Sequence, residues 1–377
     1  MLVTLPFLLL LLDSWPLERF KYAIAWKLVW EKSPFFLLAV ASCIVTFLAQ
    51  KHGGAMVLMA QMSSAARMEN ALVSYGRYLG KLIWPENLAV LYPVVDHWPM
   101  HIVLLSAAVL LVASTASIAT RRTHPYLATG WFWFLGTLVP VIGLVAIGEQ
   151  AMADRYTYFP AIGILIMFAW GVEELTRGRR FQPQVTTALS VAILTGCILS
   201  TRQNIGYWKS SESLFRHVIA VTDNNYSAHC SLGNALLTEG RTQDALTEFQ
   251  AALKLKPDSP ENHCNLGVAL ANLNRMEEAI EEFQAAVKLQ SNYGLAHHNL
   301  GMAFEQKGQL ESATKEYQVA VKLMPTYVPA RNSLGIALAK QGQLDAAVIQ
   351  FREAVRLDPS FLPAQRNLKQ ALDLIGH

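Results

Sequence analysis

One pattern constrains this chain more than any other: within residues 226–361 the same residues return four times at an interval of 34. Leu232-Gly233, Leu266-Gly267, Leu300-Gly301 and Leu334-Gly335 keep that step, as do Ala245, Ala279, Ala313 and Ala347. Phe249, Phe283, Tyr317 and Phe351 follow in phase, and then Ala252, Ala286, Ala320 and Ala354. This is the tetratricopeptide register, in which two short helices pair and small residues sit where the backbones approach. Gly240, Asn274, Gly308 and Gly342 fall between the helices, residue types that tolerate the left-handed backbone closing a helix. Pro257, Pro325 and Pro359 end the second helices, with Ser291 in the equivalent place of the second repeat. The spacing predicts repeats at 226–259, 260–293, 294–327 and 328–361. Residues 203–225 read as a degenerate leading half-repeat, with Phe215 in phase with Phe249. Residues 362–377 read as a capping helix, because Lys369 takes the place of the glycine after Asn367-Leu368.

The first half is of another kind. The 377 residues are 53% hydrophobic, too apolar for a polar repeat array alone, so the excess lies upstream. All nine Trp lie at or before Trp208, and Trp at the ends of apolar runs is a membrane-interface habit. Residues 1–202 are therefore expected to form a membrane domain of about six segments, 1–17, 34–50, 100–120, 126–148, 156–175 and 185–201, the first a fragment of a span. The fold class predicted is all-α: a polytopic helical membrane domain followed by a tetratricopeptide superhelix. A formal net charge of +3 gives no ground for a nucleic-acid partner. Cys43 and Cys197 sit in apolar runs, and Cys230 and Cys264 occupy equivalent places of adjacent repeats, too far apart for a disulfide; no metal spacing appears.

Basic residues predict the sidedness. Arg19, Lys21, Lys27 and Lys32, then Arg121 and Arg122, then Arg177, Arg179 and Arg180 lie in alternate connecting segments, the pattern of cytoplasm-facing loops. The remaining loops and the array are then expected outside the cytoplasm, in a bacterial periplasm or an ER lumen.

Two of those external loops carry the charges. Residues 62–83 have a helical period, with Arg67, Arg77 and Lys81 grouped around Asn70 and with Met68, Leu72, Leu79 and Leu82 on the other side. Such a helix is expected in the membrane surface, its cations at phosphate depth among membrane lipids; it serves either as a simple anchor or as a seat for a lipid-linked phosphate. The second loop, 149–156, sets Glu149, Asp154 and Arg155 between two spans. Arg155 can pair with one of these acids or fork onto a phosphate, and both readings stay open.

The segment Asp154-Arg155-Tyr156-Thr157-Tyr158-Phe159-Pro160-Ala161-Ile162-Gly163 resembles the acidic-Arg-Tyr-x-Tyr-x-Pro-x-x-Gly segment of the transmembrane-and-tetratricopeptide O-mannosyltransferase-like proteins, a branch of the C-type membrane glycosyltransferases. Ser74–Lys81, Trp84-Pro85 and Leu91-Tyr92-Pro93 are similar too, as is the order of spans before repeats. The resemblance implies transfer of a sugar, mannose in particular, from a polyprenyl-phosphate donor to Ser or Thr of exported polypeptides. An acid would act as general base and a cation would steady the departing phosphate. It places Arg155 first among phosphate-binding candidates, then Arg77 and Lys81, with Arg67, Asp154 and Glu149 beside them. It also implies an acidic pair on the first external loop, to which neither Asp13 nor Glu18 corresponds. The chain is thus expected to be the C-terminal portion of such a protein. A divalent metal is implied only together with that missing part, and no other cofactor is expected.

In the array, the residue before each Leu-Gly pair forms the column Ser231, Asn265, Asn299, Ser333 and Asn367. It is similar to the asparagine ladder with which long tetratricopeptide superhelices grip polypeptide backbone, an amide offering both a donor and an acceptor. The same side chains can instead satisfy neighbouring backbone. His229, His263 and His297 also recur, with Arg331 fourth; helices about 10 Å apart cannot bring them to one metal ion. Two functions of different class remain: a glycosyltransferase portion whose array presents an acceptor polypeptide, and a membrane-anchored scaffold without catalysis.

Overall fold

The computed structural model describes residues 2–22, 24–52, 63–90, 92–95, 97–143, 150–178 and 182–376. Helices dominate, and the chain divides into two compact units, Met1–Asp223 and Asn224–His377.

The first unit contains α1 (Leu5–Ser14), α2 (Ala25–Glu31), α3 (Ser33–His52), α4 (Ser64–Ile83), α5 (Met100–Ala119), α6 (Pro125–Leu138), α7 (Tyr158–Thr176), α8 (Gln182–Tyr207) and α9 (Ser211–Val221). A short antiparallel pair joins β1 (Tyr92–Pro93) to β2 (Gln150–Met152). Among the described residues, α5, α7 and α8 are long and apolar enough to cross a membrane, and α2 with the first part of α3 makes a fourth if that pair, bent by 53°, is one span. That is fewer than the six segments expected. The run 126–148 differs because α6 stops at Leu138 after 14 residues and passes into a 3-10 turn, Val139–Val141. Pro140 lacks the N–H that would continue the ladder. At about 21 Å this helix falls short of a bilayer core. α1, with 10 residues, is shorter still.

Contacts gather the basic segments at one edge. Trp15, just after α1, packs edge-on against Trp170 of α7 at 5.1 Å and lies 6.3 Å from Tyr126 of α6. Glu174 accepts from the Tyr126 hydroxyl at 2.7 Å and faces His124 Nδ1 at 2.8 Å. Asp13 is buried against Lys32 and takes a second bond from Arg19 at 3.1 Å, while Arg19 also binds Glu31 at 2.8 Å. Asp13 is thus neutralised where it stands, as a buried charge must be.

α6 and α7 pack through glycine. A methyl placed on Gly130 would overlap the Gly163 carbonyl, and one on Gly163 would overlap the Gly130 carbonyl. Trp131, Phe134 and Leu138 fill the core beside this crossing. Gly163→Ala is therefore expected to force the helices apart at a cost of about 1–3 kcal/mol. Thermal unfolding of the detergent-solubilised protein checks this; an unchanged midpoint would show that the crossing is not so close.

The second unit is four antiparallel helix pairs: α10 (Tyr226–Thr238) with α11 (Thr242–Leu255), α12 (Pro260–Asn272) with α13 (Met276–Leu289), α14 (Gly294–Gln306) with α15 (Leu310–Leu323), and α16 (Val328–Lys340) with α17 (Leu344–Leu357). The sequence pattern now has a cause. Each aromatic ring lies against the glycine of its own repeat, so that a methyl on Gly233, Gly267, Gly301 or Gly335 would stand 2.5–2.7 Å from Phe249, Phe283, Tyr317 or Phe351. The residues closing each first helix are left-handed, with φ of 77° at Gly240, 59° at Asn274, 74° at Gly308 and 79° at Gly342. The final helix, α18 (Leu362–Ile375), buries Ala364 and Ala371 against the fourth repeat and exposes Arg366, Lys369 and Asp373 together with Leu362, Leu374 and Ile375.

The segment 203–225 departs from the half-repeat expected of it. Residues 203–207 continue α8, and α9 belongs with the first unit: His217 stacks on Tyr207 with ring centroids 3.6 Å apart, and its Nε2 lies 3.0 Å from the Leu88 carbonyl. A stacked ring and a backbone bond fix α9 there whatever its phase with Phe249.

Candidate functional site

The site grows from α4. Ser63 caps the helix by accepting from Ala66 N–H at 3.1 Å, and the chain after Ile83 turns back along the helix. Asn70 holds that return, donating to the carbonyls of Ala66 and Val95 and accepting from the Trp98 indole at 3.0 Å. β1 then pairs with β2, Tyr92 opposite Met152, which brings the Asp154–Tyr156 turn onto α4. The Tyr78 hydroxyl fastens it, accepting from Ala153 N–H at 3.0 Å and donating to the Ala153 carbonyl at 3.2 Å.

Asp154 stands at the centre. Its Oδ2 accepts from the Tyr92 hydroxyl at 2.8 Å and from Ala89 N–H at 2.7 Å, while its Oδ1 is buried with no hydrogen-bond partner. The Arg77 guanidinium lies over the Tyr92 ring at 4.7 Å and beside Trp98 at 5.6 Å, and Lys81 Nζ stands 5.4 Å from the Tyr92 ring centre. Lys81 also donates to the carbonyls of Glu86 and Asn87, both at 2.8 Å. Burial raises the Asp154 carboxyl above its usual range, against the opposing pull of Tyr92, Ala89, Lys81 and Arg77. Burial also lowers Arg77 and Lys81, with the Asp154 charge working the other way.

Beside this cluster opens a cavity of about 500 Å³ whose polar lining includes Lys81, Asp154, Arg155, Asn204, Trp208 and His217. Arg155 is exposed, its guanidinium 5.1 Å from the Tyr156 ring. A cavity with two cations at its wall can hold an anion there.

Of the phosphate-binding candidates, Lys81, Asp154 and Arg155 meet at this cavity. Arg77 lies behind Tyr92, Arg67 has a buried Nε with no hydrogen-bond partner, and Glu149 lies outside the described residues. The surface-lying helix with its cations turned to lipid headgroups is corrected: the side of α4 that carries Arg77 and Lys81 is the one buried through Asn70, Ser74 and Tyr78, whereas Met68 is exposed. The returning strand, which a helical period does not reveal, covers the basic side. Tyr78, Tyr92, Ala89, Asn204, Trp208 and His217 were not anticipated as site residues; Tyr78 and Tyr92 carried a signal, within Ser74–Lys81 and Leu91-Tyr92-Pro93.

The ladder in the array is mostly engaged. Ser231 donates to the Ser227 carbonyl at 2.8 Å, Asn299 to Cys264 Sγ at 3.3 Å and Asn367 to Asn332 Oδ1 at 2.8 Å, while Ser333 Oγ lies 3.3 Å from His298 Nε2. Asn265 alone of the five has a buried Nδ2 without a hydrogen-bond partner. Among the described residues no group of three or more His, Cys, Asp or Glu is placed to hold a metal ion. Asp154, with Arg77 and Lys81 as neighbours, does not suit a resident cation.

Profiles described as tetratricopeptide repeat match residues 230–294 and 328–361, and one described as TPR repeat matches 303–342. The second unit is thus a tetratricopeptide superhelix, here following a unit with helices of membrane-spanning length. More particularly, the chain is a tetratricopeptide-repeat protein similar to the TMTC proteins. It is 28% identical over 156 residues to protein O-mannosyl-transferase Tmtc3 of Drosophila melanogaster, covering 41% of this chain and 16% of that one. It is 28% identical over 157 residues to protein O-mannosyl-transferase TMTC1 of Mus musculus, covering 41% and 17%. The chain therefore spans less than a fifth of the length of these relatives. Among solved structures it is similar to MamA, at 24% identity and a TM-score of 0.37 over 42% of this chain and 94% of that one.

Proposed function

We propose that the chain is the C-terminal portion of a membrane glycosyltransferase that moves a sugar, mannose in the first instance, from a polyprenyl phosphate to Ser or Thr of exported polypeptides. The observation that carries this reading is the meeting of Lys81 with Asp154 and Arg155 at one cavity although more than 70 residues separate Lys81 from that pair. Lys81 and Arg155 hold the donor phosphate, and Asp154, held by Tyr92 and Ala89, sets a negative charge beside them. The likeness to proteins named O-mannosyl-transferases supports the same chemistry. An apolar groove on α8, lined by Leu194, Cys197 and Ile198, adjoins the cavity through the shared residues Cys197, Thr201 and Ile205 and suits the hydrocarbon of a lipid donor. The basic edge faces the cytoplasm, the cavity and the array face the exported side, and the array binds the acceptor polypeptide.

Arg155→Ala and Lys81→Ala are each expected to lower sugar transfer to an acceptor peptide by roughly 100-fold while peptide capture stays at the wild-type level. Transfer by both variants at the wild-type rate would remove the cavity from the reaction. No transfer by the wild-type chain, with peptide capture intact, favours the scaffold reading instead.

A further inference from the structure

The last helix of the array opens a face that its predecessors keep covered. In the fourth repeat Leu334 and Leu338 of α16 share a buried cluster with Ala347 and Phe351 of α17, the second helix of the pair. Leu338 is 5% exposed, and its equivalents Leu236 and Leu270 in earlier repeats are 0% and 4% exposed. In phase with Leu334 and Leu338, α18 carries Leu368 and Leu372, and Leu372 is 40% exposed. A shallow groove of about 250 Å³ lies along it, lined by Val355, Gln365, Leu368, Lys369, Leu372 and Asp373.

Lys369 restricts what can cover this face. It takes the place of Gly233, Gly267, Gly301 and Gly335, against which the second helices press their rings so closely that even a methyl would stand 2.5–2.7 Å away. A lysine side chain is much larger, so a helix built like α11, α13, α15 or α17 does not fit here. The occupant must instead offer apolar side chains to Leu372, a carboxylate to Lys369 and a cation to Asp373, both of which are exposed. α18 itself meets all three requirements.

We propose that two copies of the chain associate through this face, α18 lying antiparallel on the α18 of a second copy about a two-fold axis. Such an interface is isologous, so one patch must complement itself. Lys369 and Asp373 stand one turn apart on the same edge of the helix, beside Leu372. A two-fold axis normal to the plane of the helix pair keeps like edges together. With that axis between residues 370 and 371, the leucines of the two copies pack against each other. Lys369 of each copy then lies within about 1.5 Å, along the helix, of the level of the other's Asp373. Two reciprocal ion pairs form. A parallel pairing would set Lys369 against Lys369 and Asp373 against Asp373, which disfavours it. Apolar burial supplies the attraction, and the charges fix direction and register, since exposed ion pairs add little by themselves.

Charge reversal tests this without touching the leucines. Full chains in detergent, labelled at the C-terminus with a donor or an acceptor dye and mixed, are expected to show energy transfer that grows with protein concentration and weakens with added salt. Lys369→Asp and Asp373→Lys each set like charges across the axis at both contacts, and each is expected to weaken self-association roughly tenfold. Mixed with each other, the two variants regain opposite charges at both contacts and should associate as the wild type does. The chain carrying both substitutions should do the same, which separates lost pairing from lost folding. Wild-type chains that stay monomeric up to about 100 µM would overturn the proposal and leave the face to a helix of another protein. Single reversals that associate as well as the wild type would overturn it too, placing self-association elsewhere in the chain, and so would two variants that fail to associate with each other. None of these readouts depends on sugar transfer.

Discussion

Asp154→Asn is expected to leave the protein at least as stable as the wild type, by about 1 kcal/mol at neutral pH, and to lower sugar transfer by roughly 100-fold. The two effects have one origin. Burial raises the carboxyl, so the folded protein holds this proton more tightly than the unfolded chain does. The favourable contribution is complete in acid, below the unfolded carboxyl's range, and is lost as pH rises through the raised folded value. At neutral pH the charge works against folding, with Oδ1 buried and unbonded. Asparagine removes the charge, and its single carbonyl oxygen can still accept from Tyr92 and Ala89. What it loses is the negative charge beside Lys81 and Arg155. Thermal unfolding across pH, beside a transfer assay on the same preparation, checks both halves. A destabilised variant that still transferred at the wild-type rate would show that Asp154 is only a strut.

The second large effect belongs to the array. Phe283→Ala removes a buried ring that lies directly on Gly267, leaving a cavity between two helices whose backbones were spaced by that ring. A loss of about 3–5 kcal/mol is expected, as for other buried aromatics. Each repeat leans on its neighbours, so limited proteolysis of the full chain should open near residues 260–293 first. Cleavage that began instead at the cap, with the second repeat intact, would contradict the role of the ring. Tyr317 is a different case, because its hydroxyl donates to Glu305 at 2.8 Å and Glu305 in turn holds Lys340 of the next repeat at 2.7 Å.

The array was legible in the sequence because its energetics are local. Gly267 and Phe283 sit a fixed distance apart in the chain and touch in space, so spacing alone reports the contact. The left-handed Asn274 was readable for the same reason, since only a few residue types tolerate that backbone. The first unit was less so. Pro140 was visible in the apolar run, yet the run's hydropathy outweighed it, and α6 ends there. The period of α4 identified the helix but not which side the chain would cover, because that depends on Tyr92 pairing with Met152, a contact across 60 residues. The candidate site inherits both kinds of information: Lys81, Asp154 and Arg155 stand out by residue type, whereas Trp208 and His217 join them only through the packing of α8 and α9.

The fit of each aromatic ring onto the glycine of its own repeat bears on how such a chain changes over generations. No helix pair borrows the ring that spaces it, so a duplicated or deleted stretch of one full period would begin and end on matching joints. The solenoid can therefore grow or shrink in whole units by unequal recombination, whereas an insertion between a glycine and its ring would part the two.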